Sequence, residues 1–109
     1  MTTIIDQIKR ILPIYPGTAE PEAKLPYAVY SERQDPVVTF DGIAGYDDTL
    51  NIALFAATKS KAEALRDELV ALLNGKTLGA STLYYAGSDY TDYPDQKISS
   101  YELTFNLLR

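Results

Sequence analysis

The densest group of residues able to do chemistry is the stretch SDYTDYPD, which places Asp89, Asp92 and Asp95 three residues apart. Carboxylates at that density could ligate Ca²⁺ or Mg²⁺, or act as a general acid–base pair. The spacing is not that of a calcium loop, whose oxygen donors recur at every second residue around an invariant glycine. Part of the stretch also reads as extended chain, so a solvated hairpin end is the preferred reading, as it is for Asp41, Asp47 and Asp48. The chain contains no histidine and no cysteine. The commonest base near neutral pH, the commonest metal ligand and the thiolate nucleophile are therefore all missing. Its serines occur in no S-x-x-K pattern and no nucleophile elbow, and Gly42-Ile-Ala-Gly45 is too short for a phosphate loop and precedes no helix. These residues imply no enzyme, no cofactor and no metal.

The nine tyrosines are more suggestive. Tyr84, Tyr85, Tyr90 and Tyr93 fall on both faces of one predicted strand, so they cannot all enter a one-sided core. A phenol suits a place where the ring is dry and the hydroxyl wet, as at a subunit contact. Cross-strand packing on an exposed sheet accounts for them equally well. Phe55 and Ala57, on a strand face that no predicted helix covers, favour an oligomer interface.

Composition sets the frame for these residues. A chain of 109 residues with 46% hydrophobic and 23% charged residues reads as one folded domain, 1–109, able to bury roughly two-thirds of its unfolded surface. Lack of cysteine fits a reducing compartment. The N-terminal MTTIIDQIKRIL interrupts its apolar pattern with charges, unlike a signal peptide, and no apolar run is long enough to span a bilayer. With a net charge of −5 and its ten basic residues scattered, the chain lacks the clustered Lys and Arg of a phosphate-gripping surface.

The elements that must position these residues follow from periodicity. Ile4, Ile5, Ile8, Ile11 and Leu12 recur at helical spacing, which predicts a helix over 3–12 ended by Pro13. Residues 14–26 carry Pro16, Gly17, Pro21 and Pro26 and read as an irregular connection. Residues 27–34 read as a strand, with Tyr27, Val29 and Ser31 on one face. Residues 35–48 form either a flexible arm or a hairpin projecting beyond the sheet; the Asp41-Gly42 turn signal favours the hairpin. A strand over 49–57 turns Leu50, Ile52 and Leu54 to the core. Ser60 and Glu63 then form a capping box for a helix whose Leu65, Leu69, Leu72 and Leu73 line one face, stopped by Asn74-Gly75. Residues 82–93 and 99–108 read as a hairpin turning at 94–97, with Tyr101, Leu103, Phe105 and Leu107 inward. The order is α-β-β-α-β-β. This is an α+β domain with a mainly antiparallel four-stranded sheet and helices on one face.

The segments IYP (14–16), LPYAVYSE (25–32), YDDTLNIALFAATKSKAEALRDELVALLNG (46–75) and YELTFNL (101–107), in that order, resemble the tail completion proteins of long-tailed bacteriophages. These are also called tail terminators or head–tail joining proteins. The resemblance spans nearly the whole chain and consists of packing patterns rather than chemical motifs. It implies a structural virion protein, assembled in the host bacterial cytoplasm, whose subunits form a ring, typically a hexamer. Such a ring caps the tail tube and receives the head connector, while the genome passes through without specific binding; no membrane is involved. On that reading the contacts with neighbours and partners are Val38, Phe40 and Asp41 on the projecting segment, and Phe55, Tyr84, Tyr90 and Tyr93 on the sheet. The alternative is a small monomeric ligand- or peptide-binding regulatory domain using the aromatic sheet face.

Overall fold

The computed structural model describes residues 2–17, 24–39, 42–78 and 81–108. These form two helices, α1 (Thr2–Lys9) and α2 (Lys59–Leu73), and six strands: β1 (Ile14–Pro16), β2 (Tyr27–Thr39), β3 (Gly42–Ala56), β4 (Thr77–Leu78), β5 (Ser81–Tyr93) and β6 (Ile98–Leu108). The strands make one sheet in the order β1-β2-β3-β6-β5-β4. The β1–β2 pair is parallel; the other pairs are antiparallel. The expected four-stranded antiparallel sheet is therefore corrected to a mixed sheet of six strands, in the chain order α-β-β-β-α-β-β-β.

The correction has a local cause. Proline interrupts a sheet interior, but β1 is an edge strand, where a missing N–H leaves nothing unpaired inside the ladder. The Pro13 carbonyl accepts from Ala28 N–H at 2.8 Å, and Gly17 N–H donates to the Tyr30 carbonyl at 2.8 Å. Residues 14–16 thus pair with 28–30 although prolines lie at both ends of the stretch. At the far edge, β4 adds two residues to the start of β5.

The projecting hairpin is the reading of 35–48 that the backbone adopts. The β2–β3 ladder runs from Tyr27↔Phe55 out to Thr39↔Gly42, interrupted by one bulge that leaves Ala44 opposite no partner. The β3–β6 ladder stops at Asp48↔Leu107, so among the described residues the outer part of the hairpin has no neighbouring strand on the β3 side.

Parity along the strands puts one apolar set under the helices. Leu50, Ile52, Leu54 and Ala56 of β3 face the same way as Tyr101, Leu103 and Phe105 of β6, and all seven are buried. From the helices come Ile5, Ile8, Ala62, Leu69 and Leu73, joined by Leu12, Ile14, Ala28 and Leu83 in a single cluster. Leu65, Leu72 and Leu107 are only partly buried at its margin. Helix α1 is shorter than the expected 3–12. Its end tightens, with Arg10 and Ile11 N–H bonding three residues back, to Gln7 and Ile8.

Helix α2 starts on a different cap from the expected one. Thr58 is the N-cap, its hydroxyl accepting from Lys61 N–H at 3.2 Å, and Ser60 lies inside the first turn. Thr58→Ala is expected to destabilise the chain by about 1 kcal/mol, whereas Ser60→Ala should change it by less than about 0.5 kcal/mol; urea unfolding of the two variants side by side checks this. The expected stop at Asn74-Gly75 is present. Asn74 is extended, Gly75 takes φ 81°, and Lys76 N–H bonds the Leu73 carbonyl at 3.0 Å, a turn whose third position favours glycine. The Asn74 carboxamide also accepts from Tyr85 N–H at 3.0 Å, which ties the end of α2 to the edge of β5.

Candidate functional site

The sheet face opposite the helices is left uncovered by the described elements. Register places Tyr15, Tyr27, Val29 and Ser31 on it, with Asn51, Ala53 and Phe55 of β3 and Ser100, Glu102, Thr104 and Asn106 of β6. Towards the end where β1 lies, it is aromatic. Tyr15 and Tyr27 meet edge to face with centroids 6.4 Å apart, and Tyr27 leans on Phe55 at 5.1 Å. Further along the strands it is polar, and the Thr104 hydroxyl donates to the Asn51 carboxamide at 3.0 Å. Tyr15 and Tyr27 are absent from the sequence-based contact set. The alternation of Tyr27, Val29 and Ser31 carried that signal for Tyr27; Tyr15 was hidden by the prolines around it.

Of the residues expected at contacts, Phe55 lies in this aromatic row, half-buried. Tyr84 and Tyr93 are on the same open face, 46% and 41% exposed. They are paired with Asn106 and Ile98, eight residues apart on β6 and so about 26 Å apart. Tyr90 is on the other face. A bulge between Tyr85 and Gly87 leaves Ala86 unpaired and reverses the parity of everything after it. Gly87 takes φ 147° there, a backbone angle that a side chain disfavours. Val38 pairs with Ile43 in the projecting hairpin. Phe40 and Asp41 lie outside the described residues.

The bulge builds a clasp between hairpin and helix. Tyr90 packs on Tyr101 with centroids 5.0 Å apart, and its hydroxyl donates to the buried Ser99 hydroxyl at 3.3 Å. Lys59 Nζ lies 5.1 Å from the Tyr90 ring and the Arg66 guanidinium 4.7 Å from the Tyr101 ring, both within cation–π range. Tyr101 donates to Glu63 at 3.2 Å, and Glu63 also pairs with Lys59 at 3.9 Å. Glu63, expected to close a capping box, instead anchors this tyrosine. Nearby, the Tyr85 hydroxyl donates to Ser88 at 2.7 Å across the bulge.

Two ionisations are displaced within the clasp. The hydrogen bond that it donates to the Asp67 carboxylate holds the Arg66 guanidinium above its ordinary value, against a smaller opposing effect of burial. Burial first, then the hydrogen bond to Glu63, raises the Tyr101 phenol above its ordinary 10.0. A phenol whose pKa is higher folded than unfolded adds stability below pH 10 and loses it as pH climbs through the raised value. Tyr101→Phe should therefore flatten the alkaline limb of a stability–pH curve, measured by urea unfolding between pH 8 and 11.

The aspartates do not gather into a metal centre. Asp89 and Asp92 occupy opposite faces of β5, Asp95 lies in the turn before β6, and all three are exposed. Among the described residues no group of three or more Asp or Glu is placed to hold a metal ion. Nor is any described helix long and apolar enough to cross a membrane.

Comparison with known proteins bears on the fold. A chain of the "Virion of native gene transfer agent (GTA) particle" superposes with a TM-score of 0.71 over 98% of this chain and 92% of its own length, at 16% identity. The same fold occurs in a virion. The likeness takes in nearly the whole of both chains rather than a common sub-motif. At that identity it is a likeness of architecture alone. No protein-family model and no curated protein matches the sequence.

Proposed function

We propose that the chain is a structural virion protein whose copies close into a ring on the end of the tail tube and present a docking surface to the head connector. The observation that carries this reading is the end-to-end superposition on a virion chain. The sequence resemblance to tail completion proteins points the same way. The surface is consistent with such a role: an aromatic open face and long strand edges are features that a repeated contact can cover. With a net charge of −5, a ring of this protein would repel phosphate and let DNA slide; a lumen lined mainly by Lys and Arg would refute that part.

The test is electron microscopy of purified tail tubes from the virus or prophage that carries the reading frame, incubated with the protein. Density of ring dimensions confined to one tube end is the expected result. Bare tube ends at saturating protein would overturn the proposal.

A further inference from the structure

The two long edges of the sheet are stepped, and the steps are complementary. At one edge β1 adds a strand beside residues 28–30, and no other described residue pairs with the later part of β2 on that side. At the other, β4 adds a strand beside residues 81–82, and among the described residues no strand pairs with the outer side of β5 from Ala86 to Tyr93. The ladders put these at matched heights. Ala28 is level, through Leu54 and Tyr101, with Tyr90, and Tyr30 is level, through Ile52 and Leu103, with Ser88. The strand added at one edge thus stands at the height of the gap in the other. Strand direction agrees. β1 runs parallel to β2 and hence opposite to β5, so in a neighbour of the same orientation, as a closed ring requires, it would lie antiparallel to β5.

Charge follows the same division. Lys9 and Arg10, at the end of the helix packed on β1, and Lys24, just ahead of β2, are exposed at the first edge. Asp89, Asp92 and Asp95 are exposed at the second. None of the six has an ion-pair partner among the described residues. Asp92 shares the helix-bearing side of the sheet with α1.

We propose that the uncovered stretch of β5 receives the α1–β1 corner of a second copy, with Lys9, Arg10 and Lys24 meeting Asp89, Asp92 and Asp95. Since Pro13 and Gly17 bond β2, alternation directs the main-chain polar groups of Ile14 and Pro16 away from β2, and Pro16 has no N–H. The main chain of β1 can offer only a few bonds, so charge supplies most of the specificity and the contact weakens with salt. This assignment rests on the ring reading above and names the surfaces that would make the ring.

Reciprocal charge reversal tests it. The Lys9→Glu/Arg10→Glu chain has a net charge of −9 (−5 less 4) and the Asp89→Lys/Asp92→Lys chain −1 (−5 plus 4). Sedimentation velocity at low salt, up to about millimolar protein, should show the wild type associating and each variant at least about tenfold weaker. The second must weaken although its net charge is lower, which separates edge contact from general repulsion. An equimolar mixture should recover association, because every contact is again between opposite charges. A wild type that stays monomeric, a variant that associates like wild type, or a mixture that does not recover overturns the assignment. Thermal melts check folding, and Lys24→Glu with Asp95→Lys is the substitute pair if a variant unfolds. Variants that still cap tail tubes as wild type does would refute this contact and leave the proposed function standing. Association through these edges with bare tube ends would do the reverse.

Discussion

Phe105→Ala is expected to lower the unfolding free energy by about 3–5 kcal/mol, the largest loss of any single truncation in the chain. Phe105 is fully buried, opposite Leu50 on β3 and Tyr85 on β5, with its ring 5.7 Å from that of Tyr85. It sits mid-sheet beneath the helices, where strands on both sides and the layer above limit how far neighbours can collapse into the space. A domain of this size is stable by about 5–15 kcal/mol in total, so the variant should melt roughly 15–30 °C lower. The same truncation at Phe55 is the internal control. That ring is half-buried on the open face and leans on Tyr27, so Phe55→Ala should cost about 1–2 kcal/mol. Urea unfolding of the two variants decides between a one-sided core and a sheet packed on both faces. Equal losses would mean that the open face is already sealed within a single subunit.

That one-sidedness was legible in the sequence because it rests on periods. Leu50, Ile52 and Leu54 alternate, as do Tyr101, Leu103 and Phe105, and the α2 leucines recur at helical spacing. Each pattern names its own inward side. Three kinds of feature have no period to read. A strand of three residues is too short to alternate, and β1 is bounded by prolines that ordinarily argue against a strand. Parallel pairing leaves no turn signal, since the partners are not joined by a tight hairpin. The cap is a choice among neighbours: both Thr58 and Ser60 are good N-caps, and the better sequence motif lost to the residue from which the chain actually leaves β3. Glu63 was thereby free to serve Tyr101, a partner 38 positions away.

The faces on which the β5 tyrosines stand turn on a fourth feature, a register change inside a strand. Strict alternation through 82–93 would put Tyr84 and Tyr90 together and Tyr85 and Tyr93 together. The unpaired Ala86 breaks that rule and sends Tyr90 to the helix side with Tyr85, leaving Tyr84 with Tyr93. A lone glycine in a strand is the available clue, and Gly87 is that glycine.

Deleting Ala86 is therefore expected to be the other severe change, although the residue itself is exposed and its side chain is a single methyl. Without it, the strand must either slip by one residue against β6 or turn the segment from Gly87 to Tyr93 over. If it turns over, Tyr90 leaves its place on Tyr101, its hydroxyl loses Ser99, and Lys59 loses the ring beneath it. A stacked pair, a hydrogen bond and an exposed cation–π contact sum to about 2–4 kcal/mol. If instead the strand slips, the bonds that fasten residues 83 and 85 to Gly75, Lys76 and Asn74 are pulled out of step, at comparable cost. Ala86→Ser, which keeps the extra residue, should be nearly silent. The pair of variants thus separates the role of an inserted residue from that of its side chain. The deletion also exchanges the faces on which Asp89 and Asp92 stand, moving Asp92 away from the side that carries α1. An acidic edge built for a neighbouring copy should lose association in the deletion variant even at temperatures where circular dichroism shows it folded. Full association by a folded deletion variant would mean that the order of residues along β5 does not matter to the contact.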